Sequence, residues 1–180
     1  QMYSNTFNNN IASVSGGVGY FGNAILLESN KSLFHNNSCL VGNGGVFNAG
    51  MHVIMLLRIS SINENKAYEG DGGFSHSLSN ISMTIKNNTI FTSNMAGANG
   101  GCISSANEVT IIINNASAVA NVANGCGGVM RLGFSNTLSI VGSKLNNNWA
   151  AISGGVLYTE NATMENLNMN MLYGRKNSLI

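Results

Sequence analysis

Short stretches of alternating apolar and polar residues recur along this chain. Apolar residues step by two at Val53, Met55 and Leu57, at Ile81, Met83 and Ile85, at Val109, Ile111 and Ile113, and at Leu138 and Ile140. A period of two places these side chains on one face of an extended backbone, so each stretch predicts a β-strand. Many of the residues are β-branched, which favours the same structure. No segment has the 3.6-residue period of an amphipathic helix, and the pattern therefore predicts an all-β fold.

Pairs of glycines interrupt these stretches at nearly constant spacing. The intervals between pairs are 28, 28, 28, 27 and 27 residues, which indicates a structural repeat. The pairs are Gly16 and Gly17, Gly44 and Gly45, Gly72 and Gly73, Gly100 and Gly101, Gly127 and Gly128, and Gly154 and Gly155.

A second motif, F-x-x-N-x-A, precedes each glycine pair. Its asparagines are Asn10, Asn37, Asn65, Asn94, Asn121 and Asn148. An apolar residue lies three positions earlier, at Phe7, Phe34, Ile62, Phe91, Ala118 and Leu145. A small residue follows two positions later, at Ala12, Cys39, Ala67, Ala96, Ala123 and Ala150. Each repeat thus contains a strand around this motif, a short strand after the glycines, and the alternating strand.

The repeat length selects the way in which these strands pair. A motif that returns in register every 27 or 28 residues cannot come from hairpins within one repeat, so each strand must pair with its equivalent in the next repeat, about 4.8 Å away. This arrangement is a parallel β-helix, a solenoid of about six coils in which each coil contacts only its neighbours. We expect residues 1–180 to form one such domain. We also expect the domain to be a segment of a longer solenoid, because neither end offers a polar cap and the last ten residues could begin a seventh coil.

The repeated residues have architectural roles in such a coil. The apolar column would stack along the interior, where each large side chain contributes about 1.5–3 kcal/mol. The asparagine column would form an internal hydrogen-bonded ladder, and the glycines would allow a positive φ or a crowded backbone at a corner. The sequence therefore predicts an interior asparagine ladder, an apolar stack and glycine corners.

The compound motif resembles the polymorphic outer membrane protein (Pmp) repeat of chlamydiae, which combines F-x-x-N with G-G-A-[ILV]. Gly154, Gly155 and Val156, followed by Leu157, form the best local match. The residue after the second glycine is never alanine here, so a broader Pmp-like β-helix group fits better than the chlamydial proteins. The resemblance spans Phe7 to about Asn170. It implies a right-handed parallel β-helix that is extracellular or displayed on a cell surface and acts in adhesion.

The charge content excludes several classes of protein. Lys and Arg total 8, Asp and Glu total 7, and charged residues make up 8% of the chain, against about 25% in a typical soluble domain. So few cations, balanced by anions, do not supply the basic footprint of a nucleic-acid binder. The longest apolar run, from Val53 to Leu57, is far shorter than the roughly 20 residues of a transmembrane helix.

The acidic residues and histidines do not converge on a reaction centre. Hydrolysis of a glycosidic bond needs two carboxylates on either side of that bond, and the acids here are spread over different coils. Glu69 and Asp71 are the one close pair, on the turn before Gly72, where they could bind a cation or a sugar hydroxyl. His35, His52 and His76 fall in three different columns. We therefore predict no catalytic residue, no metal site and no cofactor.

The three cysteines lack metal-ligand spacing. We interpret Cys39, Cys102 and Cys126 as buried thiols, with one disulfide and a remaining thiol as the alternative.

The third residue after each glycine pair defines a column that is a candidate surface stripe. Its members are Tyr20, Asn48, His76, Ser104, Arg131 and Tyr158.

Together these patterns favour a surface-displayed or secreted solenoid segment with a structural and adhesive role. Its expected partners are other solenoid repeats or copies of itself stacked end to end, and a cell-surface receptor or glycan. One alternative is a filament-forming structural protein, and another is part of a carbohydrate-active β-helix enzyme. Each remains a hypothesis at the level of the sequence, since a fold does not fix a function.

Overall fold

The computed structural model describes residues 1–170, and of residues 161–170 it describes the backbone alone. The described chain is all-β, without a helix, and forms a parallel β-solenoid of about six turns. This confirms the predicted fold class. The expectation that the last ten residues begin a seventh coil falls on residues outside the described part.

Three kinds of strand recur in each coil. The long strands are Ile25–Asn30, Phe47–Arg58, Ser75–Lys86, Ile103–Asn114, Met130–Asn146 and Leu157–Asn170. The middle strands are Thr6–Asn8, Leu33–His35, Ser61–Asn63, Ile90–Thr92 and Ser117–Val119. The short strands are Ile11–Ala12, Ser38–Cys39, Lys66–Ala67, Met95–Ala96, Val122–Ala123 and Trp149–Ala150. Two further strands, Met2–Tyr3 and Gly19–Phe21, pair with long strands of the following coils.

Every strand pairs in parallel with its equivalent in the neighbouring coil, as the spacing of the motifs predicts. Ile81, for example, is in register with Val53 of the preceding coil and with Val109 of the following coil. The long and middle strands form one sheet, and the short strands form a second sheet of six. Equivalent residues of successive coils therefore lie in straight columns along the solenoid axis.

The division of each coil into strands differs from the predicted one. The strand after the glycine pair and the alternating strand join into one long strand, which bends at a residue with positive φ. That residue is His52 in one coil, Asn80 in the next and Glu108 in the third, with φ of 57°, 54° and 53°. The strand around F-x-x-N is in turn divided into a middle and a short strand.

The apolar column lies in the interior and is aligned by the middle strands. Phe91 is in register with Ile62 on one side and with Ala118 on the other, and all three are buried. Phe7 is half-buried, and its ring stacks on that of Phe34 with the centroids 5.1 Å apart. The alternating apolar residues of the long strands complete the same core.

The two glycines of each pair are required for different reasons. The first has a positive φ in all six pairs, for example 70° at Gly72, where L side chains are strained. The second is crowded by the next coil. A Cβ atom on Gly101 would lie 2.1 Å from the carbonyl oxygen of Gly128 and 2.7 Å from that of Val122. The close approach of coils at this corner therefore excludes any larger residue.

Candidate functional site

The interior asparagines of the F-x-x-N motif form a continuous hydrogen-bonded ladder. The Nδ2 of Asn65 donates to the Oδ1 of Asn94 at 3.0 Å and to the carbonyl of Phe34 at 2.9 Å. Its Oδ1 accepts from the backbone nitrogen and the Nδ2 of Asn37, at 3.0 and 2.9 Å. Both donors and both lone pairs of the amide are thus satisfied, which is the full capacity of the group.

The same contacts extend the ladder from Asn10 to Asn148. Side-chain bonds of 2.8 to 3.0 Å join each asparagine to the next. Asn10 is exposed, whereas the other five are fully buried. A column of buried amides that is fully bonded is an architectural element, because no polar atom remains for a ligand.

A second ladder runs through the residue before three successive glycine pairs, and the sequence analysis did not identify it. The Oδ1 of Asn43 accepts from the backbone nitrogen of Asp71 at 2.8 Å. The Oδ1 of Asp71 accepts from the nitrogen and the Nδ2 of Asn99, and the Oδ1 of Asn99 accepts from the nitrogen of Cys126. Asp71 therefore serves as a rung of this ladder, whereas Glu69 is exposed. The two acids of this turn therefore differ in environment, since the carboxylate of Asp71 is bonded within the ladder and that of Glu69 faces solvent.

The candidate surface stripe is partly wrong, because two of its members are buried. His76 and Ser104 retain 8% and 1% of their accessible surface. The Nδ1 of His76 lies 2.9 Å from the Oδ1 of Asn48, and the Oγ of Ser104 bonds an oxygen of Asp71 at 3.4 Å. Burial lowers the pKa of His76; the charge of Asp71 opposes this shift, and that of Arg131 adds to it. The centre of this column is thus a polar network of the buried His76 and Ser104 with the half-buried Asn48.

A third column, of hydroxyl groups, was also missed. Each hydroxyl lies two residues before the apolar column and accepts a hydrogen bond from the backbone nitrogen of the preceding coil. Ser60 accepts from Ser32 at 3.4 Å, and Thr89 accepts from Ser60 at 3.4 Å. The mixture of serine and threonine, with Ala116 in one coil, hides this column from a search for a single repeated residue.

The three cysteines are free thiols. Cys39 and Cys102 are buried, as predicted, and burial raises the pKa of both. Cys126 is only half-buried, so the interpretation as a buried thiol is wrong for this residue. It lies at the corner before its glycine pair, where the coil is closer to solvent than in the small-residue column that contains Cys39.

The exposed side of the long strands forms a flat outer face. We use the name outer face for three columns of outward side chains. They are Leu26, Ile54, Ser82, Thr110 and Thr137; Glu28, Leu56, Thr84, Ile112 and Ser139; and Asn30, Arg58, Lys86, Asn114 and Val141. Apolar and hydroxyl side chains predominate, and charges are few. Such a surface leaves a regular array of neutral side chains open to a ligand.

One border of the outer face is the bend of the long strands. We name the bend residues Ala24, His52, Asn80, Glu108 and Ser135 the bend edge. His52, Asn80 and Glu108 are exposed, and a groove of about 370 Å³ runs past them beside Ile54, Ser82 and Thr110. His52 and Glu108 both lie eight residues after the first glycine of their pairs. Their spacing in the sequence therefore predicts that they lie in one column. It brings together one imidazole, one amide and one carboxylate.

The opposite border is the corner where long strands turn into middle strands. We name it the corner edge and define it by Lys31, Arg58, Lys86, Asn87, Asn88, Asn115, Ser117, Gly142 and Lys144. A larger groove, of about 590 Å³, lies at this edge. It forms where Asn87 and Asn88, both with positive φ, lengthen one coil by a residue. Side-chain amides, a hydroxyl and an ammonium group line it.

The part of the chain that the structure describes contains no group of three or more His, Cys, Asp or Glu residues that could hold a metal ion. Within the same residues no helix is long and apolar enough to cross a membrane. Comparison of the chain with protein-family models, with curated proteins and with solved structures found no match. The outer face and its two grooves are thus the surfaces on which a function can be argued.

Proposed function

We propose that this chain is a structural and adhesive segment of a surface-displayed or secreted β-solenoid. The observation that carries the proposal is the contrast between interior and exterior. The interior amides are hydrogen-bonded to capacity, whereas the outer face is an exposed and nearly neutral array flanked by two grooves. A ligand that meets this face contacts side chains whose positions are fixed by the coils beneath them.

Rigidity favours the adhesive role. Binding costs free energy when loops and side chains must be ordered, and a preformed surface lowers that cost. Equivalent outer-face residues repeat about every 4.8 Å along the axis, so several weak contacts can add along an extended partner. The resemblance to Pmp repeats supports an extracellular or cell-surface location, where a receptor or glycan would be the partner.

We propose no catalysis for this segment. The acidic side chains of the described residues lie on different faces: Asp71 in the second ladder, Glu108 at the bend edge and Glu28 on the outer face. A general acid and a general base would have to flank one bond. The two carboxylates at the turn before Gly72 differ in the same way, since one is engaged in the ladder and the other is exposed.

The test of adhesion is adsorption of the purified chain to cells and to extracellular matrix. We expect saturable binding that a variant with Ile54→Ser, Leu56→Ser and Ile112→Ser weakens by at least about tenfold, because these residues give the outer face its apolar contacts. A variant with Leu40→Ser, Val41→Ser and Ile152→Ser removes exposed apolar residues from other parts of the surface and should bind normally. Adsorption no stronger than that of an unrelated soluble protein would contradict the proposal.

We also propose that its partners include other solenoid repeats, or copies of itself stacked end to end. All contacts between coils in the described chain use the same columns, so any coil can be followed by an equivalent one. Size-exclusion chromatography over a range of concentrations tests self-association. A monomer that persists at the highest concentration would rule out stacking between copies.

A further inference from the structure

Most cationic side chains of residues 1–160 lie at one border of the outer face. Residues 1–160 contain six lysines and arginines, and four of them, Lys31, Arg58, Lys86 and Lys144, belong to the corner edge. They extend over five consecutive coils, a distance of about 19 Å at the strand spacing of a sheet. A chain with a net charge of +1 therefore has a distinctly basic border.

Two of these cations are neighbours of like charge. Arg58 and Lys86 are in register on adjacent long strands, an arrangement that is unfavourable by itself. In the described part of the chain, the ion pair joins Arg131 to Glu160 and does not involve the corner edge. Glu28, the acid on the same face, is in register with Leu56 and forms no ion pair with Arg58. Lys31 lies over the Tyr3 ring, 5.7 Å from its centroid. The cations that these contacts leave open to a ligand are therefore Arg58, Lys86 and Lys144.

The corner groove adds neutral hydrogen-bonding groups to this row of charges. Asn87, Asn88, Asn115 and Ser117 line it together with Lys144, and no carboxylate does so. Asn87 and Asn88 are both exposed and have φ of 59° and 61°. Two successive residues in this left-handed conformation raise the free energy of the backbone unless they are glycines. Among the other residues, asparagine tolerates the conformation best. Such local strain is typical of functional sites.

From these observations we propose that the corner edge binds an acidic polysaccharide, with its carboxylate or sulfate groups on the cations and its hydroxyls on the asparagine amides and Ser117. This inference rests on the proposed adhesive function and names the chemistry of its partner. Charge-assisted bonds to Arg and Lys are the strong contacts of such a site. A nucleic acid fits less well, because the groove has no aromatic side chain on which a base could stack.

The experiment measures binding of the whole chain to four immobilised polymers. They are polygalacturonate, which carries carboxylates, dextran sulfate, which carries sulfates, neutral dextran, and single-stranded DNA. We expect binding to one or both acidic polymers that weakens as salt is added, and at least about tenfold weaker binding to neutral dextran. The acidic polymer that binds more tightly identifies the anionic group. Equal binding to neutral dextran, or equally tight binding to single-stranded DNA, would overturn the proposal.

A pair of double variants with the same loss of charge provides the control. Arg58→Gln with Lys86→Gln removes one arginine and one lysine from the corner edge. Lys66→Gln with Arg131→Gln removes one of each elsewhere, from residues that lie over the Tyr68 ring and beside Glu160. We expect the first variant to lose about tenfold in affinity, and the second to stay within about twofold. Equal losses would show a general effect of net charge and overturn the site.

The outcomes also separate this inference from the proposed function. If the chain adsorbs to cells but not to the acidic polymers, the corner-edge site is wrong and adhesion stands. If the acidic polymers bind but cells do not, the proposed adhesive function fails and the site stands. Far-ultraviolet circular dichroism and the unfolding midpoint of each variant show whether it is folded.

Discussion

At the scale of the residue, the fold depends on asparagine because its amide matches the geometry of a coil. One side chain donates two hydrogen bonds and accepts two, and a buried rung such as Asn65 uses all four. Aspartate, serine or threonine could supply only part of this set. The second ladder tolerates Asp71 because it is half-buried and its carboxylate only accepts. Buried rungs and exposed rungs should therefore respond differently to substitution.

Asn94→Ala tests the interior ladder. The substitution removes the acceptor of the Asn65 backbone nitrogen and of one Asn65 Nδ2 hydrogen, and the donor to the carbonyl of Ile62, all in a buried site, and each orphaned group costs about 1–3 kcal/mol. We expect the free energy of unfolding to fall by about 3–5 kcal/mol. Asn10→Ala is the matched control, since Asn10 is exposed and its amide makes one side-chain bond, to Asn37. Its cost should stay below about 1 kcal/mol, and equal unfolding midpoints for the two variants would contradict the ladder.

His76 makes stability depend on pH. Burial keeps its pKa in the folded chain below the ordinary value of 6.5, so the unfolded chain binds a proton that the folded chain excludes. The free energy of unfolding is therefore highest above about pH 6.5, and it decreases as the pH drops through the pKa of His76 in the folded chain. Urea unfolding at neutral pH and near pH 5 should show a smaller decrease for His76→Asn than for the parent chain. A His76→Asn variant with the parental decrease would refute this assignment.

At the scale of the element, the repeat could be predicted from the sequence because the same constraints recur in every coil. Glycine pairs, the F-x-x-N motif and the period of two each reflect a steric or hydrogen-bonding need shared by all coils. The bend of the long strand could not be predicted from the sequence, because residues of five types adopt the positive φ there: alanine, histidine, asparagine, glutamate and serine. The hydroxyl ladder was missed for the same reason, since its residues are serine in three coils, threonine in one and alanine in one. Membership of the Pmp-like group stays a prediction.

The second glycine of each pair sets the distance between coils. Gly101→Ala would place a Cβ atom against the backbone of the next coil, 2.1 Å from the Gly128 oxygen. The backbone on both sides is fixed by ladder bonds, so the clash cannot relax at one coil alone. We expect a loss of about 3 kcal/mol or more, measured by chemical denaturation. Gly22→Ala provides the control, because a Cβ atom there meets nothing within 4 Å. A Gly101→Ala chain as stable as Gly22→Ala would show that the coils can separate without cost.

At the scale of the whole molecule, stability is a sum of coils and of the interfaces between them. Each coil contacts only its two neighbours, and the described pairing shows no contact that bridges distant coils. The first coil of the chain has one neighbour, and its members Phe7 and Asn10 remain partly or fully exposed. The chain should therefore open from a coil with one neighbour before it opens in the middle.

Hydrogen exchange of single amides tests this order of opening. In the short strands, each amide donates to the preceding coil, as Met95 does to the carbonyl of Asn65 at 2.9 Å and Lys66 to that of Asn37. The equivalent amide of Ser38 donates to the carbonyl of Asn10, in the first described coil, at 2.8 Å. We expect Met95 to exchange at least about 100-fold more slowly than Ser38, because Ser38 is exposed when the first described coil alone separates, whereas exposure of Met95 requires further coils to separate as well. Lys66, also bonded and internal, should resemble Met95. Equal protection of all three would mean that the solenoid unfolds in one step, so that its stability could not be assigned coil by coil.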